Sequence, residues 1–211
     1  MTSYRHPLGR AALAVAMTGA ALALAACGAD DGSSTGHSAH EGSSPSASAS
    51  APASGSASRH DAADVSFAKG MIPHHRQAVE MADLAAGRAS SAEVKTLASE
   101  IKKAQDPEIK TLSGWLTAWG EDVPAKGATD HSGHAMSGMM SGDDMAGLEK
   151  ASGKAFDTAF LDLMVKHHEG AVAMARTEKA EGAHQGAKDM ADDIIASQTA
   201  EITRMKTLLG S

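Results

Sequence analysis

Apolar residues along this chain form long stripes at helical spacing. From Phe67 through Met71, His74/His75, Ala78 and Met81/Ala82 they recur every three or four positions, which places them on one face of an α-helix. Gly87 offers a stop. A second helix is expected from about Ser90, with Glu93 three residues on as in a capping box, running through Val94, Leu97, Ile101, Ile109, Leu112 and Trp115/Leu116. Strict alternation and β-branched runs, the marks of strands, are missing. The pattern predicts a helical hairpin.

The hairpin is written twice. A shift of 93 positions aligns 64–116 with 157–209 without a gap, and 16 of the 53 aligned positions are identical. Asp64, Phe67, Met71, His74, His75, Ala78, Val79, Met81 and Ala82 meet Asp157, Phe160, Met164, His167, His168, Ala171, Val172, Met174 and Ala175. Further matches include Gln105 with Gln198, Glu108 with Glu201 and Leu116 with Leu209. Two hairpins predict an all-α four-helix bundle over residues 61–211, with a pseudo-twofold axis between the copies. The recurring Asp64/Asp157, Gln105/Gln198 and Glu108/Glu201 read as caps, inter-helix hydrogen bonds or partners behind a site.

Pro73 and Pro107 sit inside this pattern, where proline removes a backbone hydrogen bond and crowds the preceding turn. Their aligned partners, Lys166 and Ala200, suit a helix interior, so kinked helices are expected rather than breaks. Asp106-Pro107-Glu108 also fits the start of a separate helix, and periodicity does not choose between the two. Residues 120–147, between the copies, are too rich in Gly and Ser to be expected as a core element. They carry His131, His134, Met136, Met139, Met140 and Met145.

The amino-terminal segment has a different pattern. Arg5 and Arg10 precede an almost unbroken apolar run from Ala11 to Ala26, too short for a permanent bilayer span and typical of a signal peptide. It ends in Leu24-Ala25-Ala26-Cys27-Gly28, which resembles a bacterial lipobox. That resemblance implies lipidation of Cys27, cleavage before it, and a membrane-anchored chain facing away from the cytoplasm. Residues 28–60, rich in Ser, Ala and Gly, are expected to be a flexible tether with a typical reach of about 30 Å, from roughly 5–6 Å times the square root of its length. His37, His40 and His60 read as spacer residues or as auxiliary metal capture.

Composition narrows the functions further. Cys27 is the only cysteine, so neither a disulfide nor a free thiolate is expected in the mature chain. Without Arg5 and Arg10 the mature chain has 17 Lys and Arg against 26 Asp and Glu, a charge of −9, which argues against nucleic acid as a partner.

Each copy presents a methionine, two adjacent histidines and a second methionine along one stripe: Met71, His74, His75 and Met81, then Met164, His167, His168 and Met174. If the copies face one another, imidazoles converge inside the bundle, where helical proteins build metal sites. Thioether and imidazole without thiolate suit copper best, while imidazole alone also accepts zinc or another divalent ion. Taken singly, the methionines read first as core fillers. A His-His pair at the same point of both copies is harder to explain by packing, because an unpaired buried imidazole is costly. Neighbouring residues point about 100° apart on a helix, so one histidine of each pair can ligate while the other supports it. His131, His134, Met136, Met139 and Met140 could form an auxiliary metal loop, or an ordinary linker.

Enzymatic patterns are missing. Glu181-x-x-His184 has no counterpart in the first copy, as a di-iron bundle would require, and His168-Glu169 lacks the second histidine of a zinc protease, with Val172 in its place.

At GMIPHHRQAVEMA and LMVKHHEGAVAMA the chain resembles the bacterial domain-of-unknown-function family numbered 305. The resemblance covers 61–209 and implies an exported protein with a ferritin-like four-helix fold and copper binding or tolerance. The residues carried over are His74, His75, Met71 and Met81 with His167, His168, Met164 and Met174. The leading expectation is a lipid-anchored copper-binding protein that buffers or transfers the ion in the cell envelope, with an unknown metal-handling partner and no catalytic residues. The alternatives are a copper-dependent oxidoreductase and a structural envelope bundle without metal.

Overall fold

Local capping explains where the helices begin. The Asp61 side chain accepts the amides of Ala63 and Asp64 while Asp64 accepts the amide of Asp61, a reciprocal box that starts α1, Ala62–Arg88. In the computed structural model, which describes residues 59–127 and 137–210, four more helices follow: α2 Ala92–Trp119, α3 Gly142–Lys150, α4 Gly153–Glu181 and α5 Gln185–Leu209. No β-strand occurs among the described residues. They all fall within one unit, Ser50–Ser211.

Both prolines lie within continuous helices, Pro73 in α1 and Pro107 in α2, so no separate helix starts at Asp106. Two expectations need correction. The cap of α2 is Ser91, whose hydroxyl accepts the amide of Val94, not Ser90 paired with Glu93; Ser90 is drawn away by Asp157. The end of the expected linker, from 142 to 147, instead belongs to α3, which runs on to Lys150, starts with a capping box between Ser141 and Asp144 and is pinned by the buried Leu148 just beyond the linker. One well-capped turn, the buried Leu148 and Met145 packed against the same core order a segment whose composition suggested a loop.

α1 packs along α2, and α4 along α5, as the two hairpins; α1 and α4 then join them, with α3 against both. The direction of the α1–α4 pair follows from the two repeated aspartates. Asp64, at the start of α1, accepts the amides of Ala183 and His184 in the α4–α5 turn. Asp157, near the start of α4, accepts the amides of Ser90 and Ser91 in the α1–α2 turn. Each copy thus caps the turn of the other, which fixes the helices antiparallel.

The core divides into two apolar clusters. One gathers Met81, Leu97, Ile101, Leu148, Phe156, Phe160 and Met164, with the Phe156 and Phe160 rings stacked 5.8 Å apart. The other gathers Phe67, Met71, Ile72, Leu112, Leu116 and Ile194. The motif histidines belong to neither cluster. Residues 1–58, with the expected signal peptide, most of the tether, Cys27, His37 and His40, lie outside the described residues. No described helix is long and apolar enough to cross a membrane.

Candidate metal centre

The duplicated motifs meet on α1 and α4. All four motif histidines are completely buried, and the rings of His74 and His167 touch across the pair, with centroids 3.8 Å apart and planes tilted by 43°. These two occupy equivalent positions of the copies, so the pseudo-twofold axis passes close to their contact. Adjacent residues diverge around a helix, and His75 and His168 accordingly turn toward the outer helix of their own hairpin. His75 Nε2 lies 2.7 Å from Glu108 on α2, and His168 Nε2 lies 2.6 Å from Glu201 on α5. The matched glutamates are therefore inter-helix hydrogen-bond partners that fix the second histidine of each pair.

Protonation follows from the partners. A carboxylate only accepts, so His75 and His168 donate from Nε2 to their glutamates. His74 Nε2 faces the Ser137 carbonyl at 3.2 Å, which places its proton there by the same reasoning. The Nδ1 atoms of His74, His75 and His168, and both ring nitrogens of His167, are buried without a hydrogen-bond partner. Burial pushes the His74 imidazole down to about 3, aided by the neighbouring His75 and His168. Burial, then His74, holds His167 well below the usual histidine range. The central pair is neutral at physiological pH, the form that can donate a lone pair to a metal.

Along α1 and α4 the motif methionines come before and after this pair in sequence and enter the two apolar clusters. Met81 and Met164 share one core cluster, against which Met140 also packs, and Met71 shares the other with the half-buried Met174. The first methionine of each motif thus groups with the last methionine of the other, as an antiparallel pair requires. Met139 is half-buried, whereas His131, His134 and Met136 lie outside the described residues. Among the described residues no three His, Cys, Asp or Glu side chains converge on one point. A metal here would have to draw on sulfur as well as nitrogen. Unpartnered imidazole lone pairs beside thioethers fit a soft ion.

Several contacts at this site carry no signal in the hydrophobic pattern. Gln77 holds the Met140 backbone from both sides, accepting its amide at 2.7 Å and donating to its carbonyl at 3.0 Å. Gly138 crosses α4 at Gly170, where a Cβ on Gly170 would lie 2.0 Å from the Ser137 carbonyl oxygen.

A second buried polar group lies at the Asp64 end of the bundle. Both Glu178 carboxyl oxygens are buried without a hydrogen-bond partner, and burial, then the neighbouring Asp64 carboxylate, pushes this acid up to about 8. Burial alone would raise Asp64, but the neighbouring Glu178 acid and the amides of His184, Asp61 and Ala183 hold it below the usual range. His184 caps α5 through Nδ1, which accepts the Ala187 amide, and its ring meets Trp115 and Trp119 edge-on. His60, expected in the tether, stacks on Trp119 with centroids 4.6 Å apart.

Solved structures of similar fold are also similar in sequence. A DUF305 protein from Streptomyces coelicolor is 32% identical with a TM-score of 0.64, covering 70% of this chain and 91% of its own. A protein named CopM in its Cu(II)-bound form is 38% identical with a TM-score of 0.61, covering 69% and 94%; its Cu(I)-bound form is 36% identical with a TM-score of 0.58 and the same coverage. A DUF305 fragment from Deinococcus radiodurans is 30% identical with a TM-score of 0.63, covering 71% and 97%. Comparison with curated proteins finds no match. The family described as "Domain of unknown function (DUF305)" matches residues 64–209, and the chain belongs to that family.

Proposed function

We propose that this protein binds a soft metal ion, copper foremost, where α1 meets α4, and buffers or hands on that ion outside the cytoplasmic membrane. The observation that carries this reading is the buried, neutral His74–His167 contact, with His74 Nδ1 and both His167 ring nitrogens unpartnered, on two helices whose motif methionines enter the apolar clusters. His74 and His167 are the central ligand candidates. Met71, Met81, Met164 and Met174 supply sulfur from either side, and His75 and His168 stand behind, each held by its glutamate. Sulfur with few nitrogen donors favours copper over zinc, since zinc sites draw on His, Cys and carboxylates.

The likeness to CopM, with Cu(I)-, Cu(II)- and Ag-bound forms, supports a soft ion. Export rests on the signal-like residues 1–27, and the Streptomyces coelicolor relative is described as an inferred secreted protein. Anchoring rests on Cys27 within its lipobox-like sequence.

Buffering or transfer is preferred to oxidoreductase chemistry because turnover needs an open coordination position beside a substrate cavity. The four motif histidines are fully buried, and none lines the main surface cavities among the described residues. Calorimetric titration of the untagged mature protein with Cu(I), Cu(II), Ag(I) and Zn(II) tests the proposal. Tight binding of Cu(I) and Ag(I), lost in the His74→Ala/His167→Ala variant, is the expected result. Equal affinity in parent and variant would overturn it.

A further inference from the structure

The pseudo-twofold pair at the centre is served by only one connecting segment. We infer that residues 137–140 form a strap seated by two positions where the copies differ, Gln77 and Gly170, and that this strap sets His74 to ligate through Nδ1. The ligation clause rests on the proposed metal site; the seating does not.

Gln77 and Gly170 are equivalent under the 93-residue shift, and both touch the strap. Gly170 lets backbone cross backbone. A Cβ there would lie 2.0 Å from the Ser137 carbonyl oxygen and 2.7 Å from the Gly138 Cα, contacts that rigid backbone cannot yield. Gly138 is needed on the other side as well, because its φ of 83° strains other residues and its own Cβ would lie 2.8 Å from the Gly170 Cα. At the equivalent place on α1, the side chain of Gln77 closes that crossing and grips the strap instead. Its amide makes the two bonds that an adjacent β-strand would make to Met140, so the grip reads backbone and not side chain. One copy supplies the seat and the other the clasp, and the loop docks in a single orientation.

The consequence falls on His74. Seating brings the Ser137 carbonyl to Nε2, fixes the proton there, and leaves Nδ1 as the donor atom, as a backbone carbonyl behind a ligating histidine does. The same docking packs Met140 against the cluster that contains Met81 and Met164. An ion leaving the central pair would therefore have to leave from under a clasped segment, and Gln77 and Gly170 act as positioning residues for its exchange.

Three measurements on the full mature chain test this. In the ion-free parent the Met140 amide should be protected from hydrogen exchange, and long-range ¹⁵N–¹H correlations should show His74 protonated on Nε2. Gln77→Ala and, independently, Gly170→Ala should release the Met140 amide and speed Cu(I) transfer to a chromogenic chelator by about tenfold, the effect of losing one or two hydrogen bonds. Thermal melts establish that each variant is folded, and Gln77→Ala carries the test if Gly170→Ala is not. A parent Met140 amide exchanging at the unfolded rate, or a His74 proton on Nδ1, overturns the inference. So does an unchanged Cu(I) release rate in a folded Gln77→Ala variant. A parent that binds no Cu(I) but keeps the protected amide and the Nε2 proton overturns the metal proposal and supports the seating.

Discussion

The α1–α2 and α4–α5 hairpins descend from one pattern, and they agree and differ in an orderly way. What they share is scaffold: His75–Glu108 and His168–Glu201 tie the two helices of each hairpin at 2.7 and 2.6 Å, and Asp64 and Asp157 each cap the turn of the opposite hairpin. Where they differ, one copy has taken on a task that the other cannot. Gln77 clasps the strap and Gly170 lets it pass. At the capped turns, Ser90 gives its hydroxyl as well as its amide to Asp157 in one half, whereas Ala183 stands in its place in the other half and gives Asp64 only its backbone amide. The repeated positions build a symmetric bundle, and the unequal ones seat residues 137–140 across it.

The most severe test of that division is at the histidines. His74→Ala with His167→Ala should weaken Cu(I) binding by at least about 100-fold, roughly 2.7 kcal/mol, whereas His75→Ala with His168→Ala should act mainly on stability. Comparable losses of affinity in both double variants, read by competition with a Cu(I) chelator, would erase the distinction between central pair and inter-helix ties.

Next in size come the crossed aspartates. Asp64→Ala or Asp157→Ala takes the acceptor from at least two backbone amides of a partly buried turn, so each should cost about 2–4 kcal/mol in urea unfolding. Similar values for the two would sharpen the pseudo-symmetry, and a large loss at only one would break it.

Acid–base behaviour should separate the centre from the Glu178 end in the ion-free protein. His74 and His167 are held below their ordinary value, so the unfolded chain takes up protons first and their contribution is lost as pH falls from about 6.5. Glu178 is raised to about 8 from 4.5, so its contribution is complete below about 4.5 and is lost as pH rises toward 8. Two histidines outweigh one acid below pH 6.5 and the acid acts alone above it. Stability from urea titrations should therefore peak near neutrality, and Glu178→Gln should flatten the decline on the alkaline side. A maximum below pH 5 would contradict the neutral histidine pair.

The smallest expected change is at the surface. Lys102→Ala removes an exposed pair with Asp83 and should leave the urea midpoint unchanged within error, because solvent screens both charges.

The duplication, the all-α class, the hairpin boundaries to within a few residues and the stripe bearing His74, His75, His167 and His168 were legible in the chain, because they depend on helical periodicity and self-similarity alone. Short-range capping was legible only in part. Ser90 and Ser91 are both competent caps, and the choice of Ser91 was made by Asp157, 67 residues from Ser90 in the chain. α3 was missed because its order comes from one capping box and the burial of Leu148. The tertiary structure alone decided which histidine of each pair faces its counterpart and which faces a glutamate, since both lie on the same apolar stripe and only the crossing of α1 and α4 distinguishes them. It also decided that Gln77 and Gly170, unremarkable as a polar surface residue and a helical glycine, hold one strap between them. Local sequence sets the periodicity of each helix, but a long-range partner for a buried imidazole or an amide is chosen only when separate helices are brought into contact.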